Sequence, residues 1–161
     1  DAGLSKGGSL LSQPTKPVIK NHLYGRENWE RETREICQAI RNKVRVNFTT
    51  HFWSQLEKRG LTVGEVYSIF KNGTAEIIQG HQKGTYALNG GKLNEDEIRV
   101  FYGVTNTGKV IHVVVALSGK KRFKFVTVYI PNLYIFKPDL KTLRPEWAFK
   151  EIKEAADQAQ G

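Results

Sequence analysis

The chain has 161 residues, only one cysteine (Cys37), no methionine, and no apolar run near the roughly 20 residues that a membrane-crossing helix needs. One cysteine excludes an internal disulfide and fits a reducing compartment. The histidines, His22, His51, His81 and His112, are scattered. They form no His-x-x-x-His pair, and the lone cysteine forms no Cys-x-x-Cys, so no metal site is expected and a zinc deaminase is disfavoured. Gly90-Gly91 is not followed by a helical pattern, so it is no phosphate-binding loop. Ser54 and Ser68 stand in no nucleophile elbow. We expect no cofactor. A signal-peptide pattern is also absent. The lack of methionine and the start at Asp1 lead us to expect a domain cut or processed from a larger protein.

What the chain has in excess is positive charge: 25 Lys and Arg against 16 Asp and Glu, a net charge of +9. Such a field attracts polyanions, either nucleic acid or an acidic partner protein. The length suits one domain with a terminal extension, large enough to build a core without staples. Residues 1–25, rich in Gly, Ser, Pro and Lys, read as a linker or flexible arm, and residues 26–161 as one domain.

Along the domain, Glu27 to Val44 reads as a helix, with Trp29, Thr33, Ile36, Ile40 and Val44 on one face and a solvated Glu/Arg surface on the other. Val46 to Phe48 is a short strand. A helix pair follows. Thr49 or Thr50 caps the first helix; Phe52, Trp53 and Leu56 point to the core, and Lys58-Arg59-Gly60 ends it. Thr62 with Glu65 forms a capping box for the second, whose apolar face is Val63, Val66, Ile69 and Phe70; Asn72-Gly73 closes it. Beyond Gly73 the period changes to 2. Strands are expected at Ala75–Gln79, Thr85–Leu88, Glu97–Val104, Val110–Leu117 and Arg122–Ile130. In the last, Phe123, Phe125, Thr127 and Tyr129 should share one face. Residues 131–144, with Tyr134 and Phe136, should wrap the core. Pro145 should open a final helix packed through Trp147 and Ile152. Helices followed by a meander of strands predict an α+β fold, with N-terminal helices on a twisted antiparallel sheet of four to five strands and a C-terminal helix.

Histidine, cations and hydroxyls beside a sheet suit metal-free RNA cleavage. A 2′-OH must lose a proton, the leaving 5′-oxygen must gain one, and a pentavalent phosphorane must be stabilised; imidazole, Lys or Arg, and hydroxyls supply these tasks. His51, at a helix start where backbone N–H groups bind phosphate, is the first candidate. His81 reads as part of a polar loop that can reach a ligand. His112, on an apolar strand, reads as a satisfied core histidine, and His22 lies in the arm. Lys120, Lys121, Arg122 and Lys124 form a basic hairpin tip able to grip phosphates. The residues equally admit a non-catalytic nucleic-acid-binding module, or a basic domain that meets an acidic protein.

The run from Thr50 and His51 through Glu57-Lys58-Arg59-Gly60-Leu61, Glu65-Val66 and Asn72-Gly73, with Val113-Val114-Val115 and Val126-Thr127-Val128-Tyr129 later, resembles a bacterial domain family of unknown function. That family opens on Ser/Thr-x-His and continues through Glu-x-Arg-Gly-Ile/Leu to Asn-Gly. It is similar to the barnase/EndoU/colicin/RelE group of ribonuclease toxins, found as toxin modules and at the C-termini of secreted polymorphic and contact-dependent inhibition effectors. The likeness implies an antiparallel sheet packed on helices, an RNA site on the sheet and a cognate inhibitor. It places the leading histidine on His51, the arginine on Arg59 and the strand hydroxyl on Thr127; Gln55 stands where a further arginine is expected. It implies cleavage of tRNA or another structured RNA to a 2′,3′-cyclic phosphate. His51 would then be general acid or base, with Lys58, Arg59 and Lys124 near the phosphate and Thr127 and Tyr129 orienting it. Lys120, Lys121, Arg122 and His81 would bind RNA. The partner would be an acidic immunity or antitoxin protein, the toxin a monomer or a heterodimer with it, and the site of action the target-cell cytoplasm after secretion within a larger effector.

Overall fold

The computed structural model describes residues 22–88 and 90–145. A 3-10 turn, Arg26–Asn28, leads into α1 (Trp29–Asn42) and the short strand β1 (Val46–Phe48). Helices α2 (Thr50–Lys58) and α3 (Val63–Lys71) precede β2 (Glu76–His81), β3 (Glu97–Val104), β4 (Val110–Leu117) and β5 (Phe123–Tyr129). The fold is α+β, with helices packed on a five-stranded sheet in the order β1-β5-β4-β3-β2. The sheet is mixed where an antiparallel one is expected. β2 to β5 form an antiparallel meander, but β1 lies parallel to β5, Val46 beside Phe123 and Phe48 beside Phe125. Strand β1 comes before the helices, so it joins the sheet through a long crossover, and hairpin geometry does not dictate its direction.

Local signals explain the helices. The Thr49 hydroxyl accepts from Phe52 N at 3.0 Å and caps α2. Thr62 and Glu65 make the capping box of α3, each side chain bonded to the other's backbone N–H. Helix α1 stops at Lys43, which takes a left-handed conformation (φ 57°), so Val44 lies beyond the helix and is exposed. Ile36, Ile40, Phe52, Leu56, Val66, Ile69 and Phe70 bury against Phe101, Ile111, Val113, Val115, Phe125 and Val128. Gly103 lets α3 approach the sheet, since a Cβ there would run into the Ile69 side chain. The outer face holds a smaller cluster of Ile98, Val100, Val114, Ala116 and Val126, covered by Ile78, Tyr86, Leu88 and Tyr129. Strand β4 is thus covered on both sides, as its apolar run implies.

A bulge revises the faces of β5. Val114 pairs with Thr127 and Val115 with Phe125, which leaves Val126 as the extra residue. Phe123 and Phe125 join the helix-side core together with Val128, whereas Thr127 and Tyr129 turn to the outer face. Other expectations change too. Thr85–Leu88 forms no strand, only a bridge from Ala87 to Leu93. Trp53 is half exposed, its ring tilted against that of Phe48 at 5.0 Å between centres. Phe136 is buried as expected of a wrapping segment, but Tyr134 is 84% exposed. The C-terminal helix, with Trp147 and Ile152, lies outside the described residues. So does most of the N-terminal arm, but residues 22–25 belong to the fold: Tyr24 N donates to Gly80 O and Gly80 N to His22 O, a parallel bridge on the edge of β2.

The largest departure from a solvated α1 surface is Glu32. It is buried and receives Arg99 Nε at 2.7 Å and Nη2 at 3.2 Å. Arg99, 1% exposed, also reaches Glu97 Oε1 at 2.7 Å and donates to Ile98 O. This fork joins α1 to β3. Gly25 lies so close over the guanidinium that a Cβ would meet it. Removing one partner strands a buried charge, whereas replacing both removes the desolvation problem. Glu32→Leu alone should therefore lose about 3–5 kcal/mol in urea unfolding, and Glu32→Leu with Arg99→Met should recover most of it.

Candidate nucleic-acid interface

Of the candidate residues, Lys124, Thr127 and Tyr129 lie on β5. Thr49 does more than cap a helix: its hydroxyl donates to Val126 O at 2.8 Å, and Thr49 N donates to Phe125 O at 3.0 Å. The start of α2, with His51 two residues on, is therefore fastened to the bulge of β5, next to Thr127. Strand β1 pairs with β5 only as far as Phe125, so the helix start takes over where the strand ends. His51 is half-buried there, and Lys124, Thr127 and Tyr129, also half-buried, follow one another along the outer face.

Lys58 and Arg59 do not join this group. They lie at the other end of α2, about 10–12 Å of helical rise from His51. Both are exposed, and Lys58 stands where a cation suits the helix C-terminus. The hairpin cations Lys120, Lys121 and Arg122 are exposed at the β4–β5 turn, about 13 Å of strand from Val126. Lys121 and Arg122 line an open groove of about 470 Å³ together with Arg31 and the acids Glu35, Asp96 and Glu97. Lys121 approaches Glu35 at 3.8 Å. The tip therefore adds less net positive field than its sequence suggests.

His81 is a correction. It ends β2 rather than sitting in a polar loop, and its side chain is fully buried. Nε2 meets Gln79 Oε1 at 2.9 Å, while Nδ1 is buried with no hydrogen-bond partner. The His22 ring lies edge-on at 5.1 Å. Burial first, then the nearby His22 and Arg99, lowers the pKa of His81 to about 3. A surface RNA strand cannot touch it.

His112 is the satisfied core histidine that its apolar strand implies. Nε2 lies 2.6 Å from Leu140 O, and a carbonyl only accepts, so Nε2 carries the proton. Burial lowers the pKa of His112 to about 4, partly opposed by that backbone bond, so the ring is neutral. Its Nδ1 must then accept, and the Tyr129 hydroxyl at 3.1 Å donates to it. The phenol thereby spends its proton on the ring nitrogen. Sequence reading missed this pairing, although an i,j contact between two strands is visible once the β4–β5 register is known, since His112 pairs with Tyr129.

Among the described residues, no cluster of three or more His, Cys, Asp or Glu is placed to hold a metal ion. Among the same residues, no helix is long and apolar enough to cross a membrane. Cys37, half-buried with its thiol near Phe70 O at 3.5 Å, has its pKa raised mainly by burial, which makes it a poor nucleophile.

Comparison with family profiles matches residues 48–130, from the end of β1 through β5, to a family described as Domain of unknown function (DUF4258). The chain belongs to that family. The matched range holds the Thr49–Val126 junction, the two capped helices and the whole meander; α1 and residues 131–145 lie outside it. Comparisons with curated proteins and with solved structures gave no match. The family thus extends over the part of the fold that carries His51, Lys124, Thr127 and Tyr129, and its description assigns no activity.

Buried, neutral His81 and His112 make stability pH-dependent. Their folded pKa values lie below the unfolded value of about 6.5, so their contribution is complete above pH 6.5 and is lost as pH falls towards 4 and 3. Each should add up to about 1.4 kcal/mol per pH unit to the slope in that window. Urea unfolding at pH 7, 5.5 and 4.5 should show this slope, and His81→Gln should reduce it by about half whatever its effect at pH 7.

Proposed function

We propose that this protein is a metal-independent endoribonuclease toxin acting on tRNA or another structured RNA. The observation that carries the reading is the Thr49–Val126 bond, which fastens the histidine-bearing helix start to the hydroxyl-bearing outer strand across 77 positions of sequence. Together with a net charge of +9, this supports the reading: a helix N-terminus that carries His51 is joined to the strand that carries Thr127 and Tyr129.

In this reading the 2′-oxygen attacks phosphorus, the bond to the 5′-oxygen breaks, and the product is a 2′,3′-cyclic phosphate with a free 5′-hydroxyl. His51 moves a proton, as base towards the 2′-OH or as acid towards the leaving oxygen. Thr127 donates to a non-bridging oxygen, Tyr129 accepts from the ribose or an incoming hydroxyl, and Lys124 answers the charge of the phosphorane. Lys58 and Arg59, one helix length away, bind a neighbouring phosphate instead of the scissile one; Lys120, Lys121 and Arg122 bind another at the far end of the strand. The resemblance to toxin modules extends the proposal to an acidic immunity or antitoxin partner, and to delivery within a secreted effector of the contact-dependent inhibition kind that acts in the target-cell cytoplasm.

The test is incubation with total RNA in the presence of EDTA. The parent should give discrete fragments ending in cyclic phosphate. His51→Ala should lower the rate by about 100-fold or more, the usual contribution of a general acid or base, and Thr127→Val should lower it less while binding persists. Intact RNA with the parent, alongside salt-sensitive binding, would replace the enzyme with a non-catalytic binding module.

A further inference from the structure

Beyond Tyr129 the chain turns sharply and presents Tyr134 with 84% of its surface exposed, the most open of the large apolar side chains among the described residues. Leu133 and Ile130 beside it are 58% and 43% exposed. This openness is not looseness. Asn132 Oδ1 accepts from Tyr134 N at 3.0 Å and from Ile135 N at 3.1 Å, and Phe136 N donates to Asn132 O. From the returning segment, Arg144 Nε donates to Leu133 O at 2.9 Å and Arg144 N to Ile135 O at 3.0 Å. Phe136, two residues on, is 2% exposed and packs on His112 at 4.6 Å between ring centres. One turn thus buries one ring as an anchor and holds the next out in water, on a backbone tied at five points.

We infer that Tyr134 is a stacking platform for an unpaired base of single-stranded RNA next to the cleaved bond, a role that rests on the ribonuclease reading. Two features choose a base over other occupants. Cations flank the turn, exposed Lys137 three residues on and half-buried Arg144 bonded to Leu133 O, against Asp139 as the acid of residues 130–145, and this suits the polyanion that the net charge of +9 attracts. The turn is also joined to the β5 row, since its anchor Phe136 stacks on Tyr129 at 6.4 Å between ring centres, so RNA bound at Tyr129 has this turn as its neighbour. Stacking needs a base already out of a helix, so the preferred substrate is a loop or an unpaired end, not a duplex. An aromatic ring on a fixed mount loses little freedom when a base covers it.

The experiment measures binding of the full chain to a fluorescent single-stranded 2′-O-methyl RNA, which lacks the nucleophilic hydroxyl, and to the same sequence in a duplex. The parent should prefer the single strand. Tyr134→Ala should weaken single-strand binding roughly 5- to 150-fold, the span of one lost base–aromatic stack. It should leave the duplex affinity and the salt slope unchanged, since no charge is removed. Tyr134→Phe should bind as the parent does, and Tyr134→Leu, apolar but without a π-face, should behave as Ala. If the parent binds RNA and Tyr134→Ala binds equally well, the stacking role is overturned and the ring becomes a contact for a protein partner. If the parent binds no RNA, the ribonuclease reading itself fails, and the stacking role with it.

Discussion

A guanidinium removed from water must be answered at close range, and Arg99 is answered by Glu32 and Glu97. The rest of the N-terminal part depends on that requirement. Glu32 projects from α1, so the ion pair sets how that helix lies on β3. Gly25 can pass over the guanidinium only because it has no side chain, and this brings residues 22–24 onto the edge of β2. There they cover backbone groups at Gly80 that would otherwise offer an open edge to another chain. The family match begins at residue 48, so Arg99 and Glu97 lie within the matched range and Glu32 and Gly25 outside it.

On the other side of the molecule the governing feature is one extra residue. The bulge at Val126 lets Phe125 and Val128 both face the helices, and it turns Thr127 and Tyr129 outward. The carbonyl of Val126 is the group that receives the Thr49 hydroxyl. Bulge and helix cap therefore define one junction, a common place for a strand to re-aim a side chain. Histidine pairing follows the same logic of commitment. His112 gives its proton to a backbone carbonyl and takes one from Tyr129, which fixes a phenol at the end of the outer row.

Much of the helix chemistry was legible in the sequence. Thr49, the Thr62–Glu65 box and the core faces of α2 and α3 follow from local spacing, because a cap or an amphipathic stripe is satisfied within a few residues. The strand positions of β3, β4 and β5 were legible for the same reason. What could not be read were the pairings between distant residues. Glu32 looks like any surface acid until Arg99 is beside it, and His81 looks like a loop residue until β2 is seen to extend through it. The parallel placement of β1 and the bulge in β5 likewise depend on partners, not on composition.

By itself, then, the amino-acid order determined where the helices and strands β3 to β5 lie, most of the apolar stripe of each helix, and that the chain is basic. Those properties depend on neighbours within a turn or a strand. Only the tertiary structure decided that His51 stays half-exposed at the start of α2 while the other histidines are sealed, and that Lys58 and Arg59 stand a helix length from His51. It also decided that Tyr134 is held in water while Phe136 is buried. Burial and proximity are properties of the packed whole: a side chain has no solvent exposure of its own until the other layers of the fold close over it or leave it open.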